Sequence, residues 1–324
     1  MEHNIYLEIF IKGEKMIIYD ISNKFKEVDS WEQEKSLYWI ILHAEEIEVL
    51  NLVLDEECIQ ECKDFSQEAQ IHFYNDYIFM VLNVLDIYEE DIISKELNIF
   101  LSHNFIVTVY KDRIPVLEEF IKDIKKNRNC FMLKDKGKPE IVLYYILDRL
   151  ILRNYNCISL VEEMADKVEL EILRSPHSNQ IRELVFLRGQ TYKIRKILNP
   201  LRYIGDALLA NENGIISDNY MIYFKNIDNK ISKLMKAIEN LTQDLAMVRE
   251  AYEAEISNKT NDLMKVFTVV TTVFLPLELI TAVFSMSFDH MPFKENNFAF
   301  FGILIFMGGI VITMLFYFKK HRMI

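Results

Sequence analysis

Glu278 is the residue best placed to do chemistry in this chain. It stands inside an apolar run from Val266 to Phe288. A carboxylate there is costly unless it faces a bundle interior or a water-filled path, and such residues are usually functional. Heptad steps bring Asn261, Thr268, Thr271, Leu275, Glu278, Ala282 and Ser285 onto one stripe, with Met264 and Phe267 as further candidate lining residues. That stripe is more polar than the rest of the run, which suits a helix lining a wet path around a symmetry axis. Two helices of one chain cannot shield a carboxylate alone, so an oligomer is expected.

The elements that must hold Glu278 are two apolar segments, about 266–288 and about 298–318. Each reaches the roughly 20 apolar residues needed to cross a hydrocarbon core as a helix. Lys319, Lys320, His321 and Arg322 follow the second, and Lys259 and Lys265 precede the first. The connecting loop, Asp289 to Asn297, has one Lys against one Asp and one Glu. Positive charge stays on the cytoplasmic side, so both termini should face the cytoplasm of a cell-membrane protein. Residues 1–25 lack a basic start followed by an apolar run, so no signal peptide is expected.

The chain has 324 residues, mean hydropathy +0.04 and net charge −12. An acidic surface disfavours nonspecific binding to a nucleic acid polymer and can gather cations. Of the 4 Cys, Cys58 and Cys62 share a helical spacing but have no second pair at zinc distance. With only 8 Gly there is no glycine-rich phosphate cradle, and no catalytic motif appears, so an enzyme is not expected.

Residues 1–135 read as an α/β domain within an α+β architecture. Strands are predicted at Ile5–Ile11, Met16–Ile21, Leu37–Leu42, Ile78–Leu85, Leu97–Leu101 and Phe105–Tyr110. Helices are predicted at Glu45–Leu54, Glu56–Lys63 and Pro115–Lys126. Asn127–Pro139 is the expected boundary, residues 136–264 a long-helix stalk or funnel, and residues 265–324 the membrane hairpin with its basic tail. In the stalk, helices are predicted at Ile141–Leu173 and Asn179–Leu209. The second carries Arg182, Arg188, Lys193, Arg195 and Lys196, which should pair with acids of the first. Ile227, Ile231, Leu234, Ile238, Leu241, Leu245, Val248 and Tyr252 then form a 4-3-4-3 seam like that of a coiled coil. With no Pro or Gly from Ile215 to Leu275, one helix of about 60 residues and about 90 Å should carry that seam into the first span.

The run Ser257, Asn258, Asn261, Met264, Lys265, Thr268, then Phe274 and Pro276, then Phe288 to Pro292, resembles the CorA family of divalent-cation transport proteins. Leu187-Arg188, Pro200-Leu201-Arg202, Asp76–Leu82 and Asn104–Val109 are similar to it as well. The resemblance implies a funnel-shaped homopentamer with its first spans around one axial pore for Mg2+, Co2+, Ni2+ or Zn2+, gated through the cytoplasmic funnel and needing no cofactor. It makes Phe267 and Leu275 apolar constrictions. It also points to cytoplasmic regulatory metal held by acids, for which Asp86, Glu89 and Asp91, read as part of an acidic loop with Glu90, and Asp228 beside Asn226 are the candidates.

The departures bear on function. Magnesium transporters of the family carry Gly-Met-Asn at the outer end of the first span, where this chain has Ser285-Met286-Ser287. Ser287 and Glu278 become the candidate contacts for a passing ion, Ser287 through the ion's water shell. A ring of Glu278 carboxylates would attract cations and could hold protons, so proton-coupled zinc transport is a further expectation. The altered signature also fits a CorA-like effector, such as the CRISPR-associated members, in which a nucleotide second messenger binds the soluble part and perturbs the membrane lipid.

Overall fold

The computed structural model describes residues 16–32, 35–64, 67–89, 91–286 and 297–321. The predicted strand Ile5–Ile11 lies outside them, as do Ser287 and the rest of the loop between the spans. The chain divides into two compact units. The first comprises residues 1–168 and 179–248, the second residues 169–178 and 249–324.

The first unit is built on a seven-stranded sheet. Its strands are β1 (Ile17–Asp20), β2 (Lys26–Val28), β3 (Tyr38–His43), β4 (Gln70–Phe73), β5 (Ile78–Tyr88), β6 (Asp91–Leu101) and β7 (Phe105–Tyr110). Their order is β2-β1-β3-β7-β6-β5-β4. Only β3 and β7 pair in parallel; the other neighbours are antiparallel. Ile78–Leu85 is buried at every position, as expected of a strand covered on both faces. One face packs Ile40, Leu42, Phe79, Val81 and Val107 against Cys58, Ile59 and Cys62 of helix α1 (Glu56–Lys63). On the other, Trp39 meets Phe120 of α2 (Pro115–Lys125) with ring centroids 5.2 Å apart. Phe120 in turn meets Tyr145 at 5.8 Å.

Three expectations are corrected here. Glu45–Leu54 is not an α-helix; Ala44–Leu50 forms a 3-10 turn instead. Its buried residues, Ala44, Ile47 and Leu50, recur every third position, which is the 3-10 repeat. The acidic segment Asp86–Asp91 is not a loop, because Asp86 and Asp91 are ladder residues of β5 and β6 and only a tight turn separates the strands. Ile87, Ile92 and Ile93 extend the pairing, as β-branched residues favour. Asn179–Leu209 is two helices, α5 (Ser178–Leu198) and α6 (Leu201–Ala210). Pro200, which has no N–H to donate, separates them.

A short helix, α3 (Met132–Asp135), leads to α4 (Pro139–Arg174). The helix that carries Glu278 is α7, a single element from Met221 to Ser285. Its seam residues Ile227, Ile231, Leu234, Ile238, Leu241, Leu245 and Val248 are buried within the protomer. They are covered by the chain's own helices. Tyr144 of α4 meets Tyr223 at 5.4 Å, and Lys230 pairs with Asp148. The start of α7 is fixed by Glu140, whose carboxylate accepts from Ser217 Oγ at 2.6 Å and from its N–H at 3.2 Å. The second unit holds the C-terminal part of α7 and helix α8 (Asn297–Lys320). Both helices are long and apolar enough to cross a membrane.

Candidate functional site

The stripe read from the sequence is a single face of α7. Asn261, Met264, Thr268, Thr271, Leu275, Glu278, Ala282 and Ser285 are all exposed in the single chain, as is Phe267 at its edge. The opposite side, about half a turn away at 100° per residue, carries Val269, Val273, Pro276, Leu277 and Ile280. Val269 is buried and the other four half-buried, so this is the side the chain itself covers. Glu278 thus stands on the side of α7 away from that covered strip, beside the exposed Phe267, Phe274 and Leu275.

The hydroxyls on this helix are oriented by their own backbone. Thr268 Oγ1 donates to Met264 O at 2.8 Å, Thr271 Oγ1 to Phe267 O at 2.9 Å, and Ser285 Oγ to Ala282 O at 3.0 Å. A hydroxyl that gives its proton to a carbonyl presents only lone pairs outward. Thr268, Thr271 and Glu278 thus offer acceptors to whatever meets this face. At its N-terminal end this face carries Asn258, Asn261, Asp262, Met264, Lys265 and Thr268. Lys265 is tied to Asp262 at 2.8 Å. The sequence reading had passed over Asp262, although the i,i+3 spacing of opposite charges was its visible signal.

The carboxylates expected to regulate are not gathered. Asp86 sits between Lys95 at 2.7 Å and Arg153 at 2.6 Å. Asp91 accepts from Lys193 at 2.5 Å and Gln190 at 2.8 Å. Glu89 occupies the turn with φ +48°. Asp228 packs over Gly205 of α6, where an added Cβ would lie 2.9 Å from Asp228 Oδ1. Among the described residues no group of three or more His, Cys, Asp or Glu is arranged to hold a metal. Lys193, expected to meet an acid of the preceding helix, instead reaches the β5–β6 hairpin.

These contacts dock the hairpin onto the helices. Leu85 N–H donates to Asn154 Oδ1 and Ile92 N–H to Gln190 Oε1, each at 2.9 Å. Burial pushes the Asp86 carboxyl up, but hydrogen bonds from Lys95 and Arg153 outweigh it and hold the group below its usual range. The Lys193 and Gln190 hydrogen bonds hold Asp91 low as well. A depressed carboxylate stabilises the fold above its unfolded pKa of about 3.9 and loses that contribution as pH falls through the lower folded value. The protection of the Ile87 and Ile92 amides, relative to the intrinsic exchange rate at each pH, should therefore fall from about pH 4 downward, and Asp86→Asn should reproduce the loosening at neutral pH at a cost of about 1–3 kcal/mol. Hydrogen exchange by mass spectrometry checks both.

The comparisons with known proteins agree with this architecture. The profile described as CorA-like Mg2+ transporter protein matches residues 34–320. The chain belongs to this family. The CorA-like chain is 24% identical over 266 residues to the cobalt/magnesium transport protein CorA of Thermotoga maritima, covering 82% of itself and 75% of that protein. It is 23% identical to the magnesium transport protein CorA of Helicobacter pylori, covering 97% of itself and 98% of the relative. Its fold matches that of the complete CorA magnesium transporter of Methanocaldococcus jannaschii with a TM-score of 0.80 at 19% identity, over 96% of this chain and 99% of the other. Full-length CmaX matches with a TM-score of 0.71 at 15% identity. The α/β domain, the long helix and the C-terminal apolar helices thus have the CorA architecture.

Proposed function

We propose that this CorA-like chain assembles as a homopentamer in the cell membrane and conducts divalent cations along an axis lined by the polar face of α7. The observation that carries the reading is the placement of Glu278, on the side of α7 away from the strip its own chain covers and in line with the outward lone pairs of Thr268 and Thr271. Five such helices would present rings of acceptors to a cation at Thr268, Thr271 and Glu278. Thr268 and Thr271 would bond the water shell of the ion, which Mg2+ gives up reluctantly, and Glu278 would supply the attracting charge. Phe267 and Leu275 would narrow the path as apolar constrictions. Ser287, outside the described residues, would meet the ion's waters at the outer mouth. Both termini would face the cytoplasm. Opening would be set there and passed along the single helix α7.

The test is flux of Mg2+, Co2+, Ni2+ and Zn2+ into proteoliposomes holding the full-length protein, under an inside-negative potential. Saturable divalent entry is expected. No divalent entry at any pH or potential would overturn the proposal, and leakage of large solutes only after addition of a nucleotide would replace it with the membrane-effector reading.

A further inference from the structure

Away from the pore face, α5, α6 and α7 enclose a cleft of about 240 Å³ within the first unit. Two guanidiniums line it, Arg195 from α5 and Arg202 from α6, one on each side of the Asn199-Pro200 break. Both are exposed, and neither has an ion-pair partner among the described residues. On the same helices Lys193 holds Asp91 and Lys230 holds Asp148. Glu239 of α7 borders the same cleft without bridging to either arginine. The floor is apolar, formed by Met235 and Ile238, which are 7% and 2% exposed.

We infer that this cleft is a binding site for a small phosphomonoester, with Arg195 and Arg202 gripping the phosphate and the first carbons of the ester lying on Met235 and Ile238. Guanidinium is the group whose fork of donors matches phosphate oxygens. Asn199 at the break can add an amide donor. The volume suits a phosphate and a few attached atoms rather than a macromolecular segment. The chain's net charge of −12 repels anions in general, so an anion held here would be held by this local pair. Glu239 sets a polarity in the cleft, because its carboxylate repels the phosphate from one side.

The experiment uses the full-length protein in detergent at fixed ionic strength, titrated calorimetrically with glycerol 3-phosphate and, separately, with glycerol. Saturable binding of the phosphate ester and none of glycerol is expected. Arg195→Gln and Arg202→Gln should each weaken binding by at least about tenfold. Arg202→Lys should recover only part of the loss, since a lysine keeps the charge but not the fork. Glu239→Gln should tighten binding, an opposite sign that a general loss of fold would not give. The inference is overturned if the wild type shows no saturable heat. It is also overturned if the arginine variants bind as the wild type does, or if Glu239→Gln weakens binding as they do. It fails too if the arginine variants change the mass of the solubilised assembly, which would make these guanidiniums contacts between protomers.

Discussion

Glu278→Gln is expected to lower divalent-cation entry into proteoliposomes by at least about tenfold at neutral pH. Glutamine keeps the shape and hydrogen-bonding reach of glutamate and removes only the charge. If five carboxylates ring the path, each stands within a few ångströms of an entering ion in a setting far less screened than bulk water. A unit charge pair at 4 Å is worth about 4 kcal/mol at an effective dielectric of 20, against about 1 in water. Even a fraction of that difference lost from the ring exceeds the 1.4 kcal/mol that separates tenfold rates. Glu278→Asp should retain partial entry, because the charge survives on a shorter arm. Equal flux in wild type and Glu278→Gln would place the residue away from the ion path and remove the main support for the proposed function.

Much of this was legible in the sequence because the signals were periodic. The stripe from Asn261 to Ser285 needed only helical spacing to be read as one face of α7. The long strands announced themselves through unbroken apolar runs such as Ile78–Leu85. Short elements did not. β2 is three residues, Lys26–Val28, two of them charged, and β4 is four residues at a sheet edge, with His72 exposed. Neither has the length or pattern to stand out from a loop; both exist because a neighbouring strand offers its open edge. The acidic hairpin misled for a related reason. Asp86 and Asp91 look like solvated loop charge until Lys95, Arg153 and Lys193, up to 102 residues away, come to meet them. No local window contains that information. The same holds for the Arg195–Arg202 cleft, whose apolar floor comes from a third helix.

The seam on α7 was legible as a pattern but not as a partnership. A 4-3-4-3 repeat fits helices of neighbouring protomers packed on one another equally well, and it fits one protomer folding onto itself. The burial of Leu234 and Leu241 at 0% exposure within a single chain decides for the second. Leu241→Ala should therefore act on the protomer, not on the assembly. Truncating a fully buried leucine costs about 2–5 kcal/mol through lost transfer energy and the cavity left behind. The opening free energy of amides in 221–248 should drop by that amount in full-length protein, while the mass of the detergent-solubilised assembly stays unchanged. Met247→Ala, on the same helix but 58% exposed, should change exchange by no more than about 0.5 kcal/mol. If Leu241→Ala instead dissociated the assembly and left exchange within each protomer intact, the seam would belong between subunits. The start of α7, held by Glu140 on one side and by Asn213 donating to Tyr74 O at 2.7 Å on the other, would then have to be what fixes the helix to its own α/β domain.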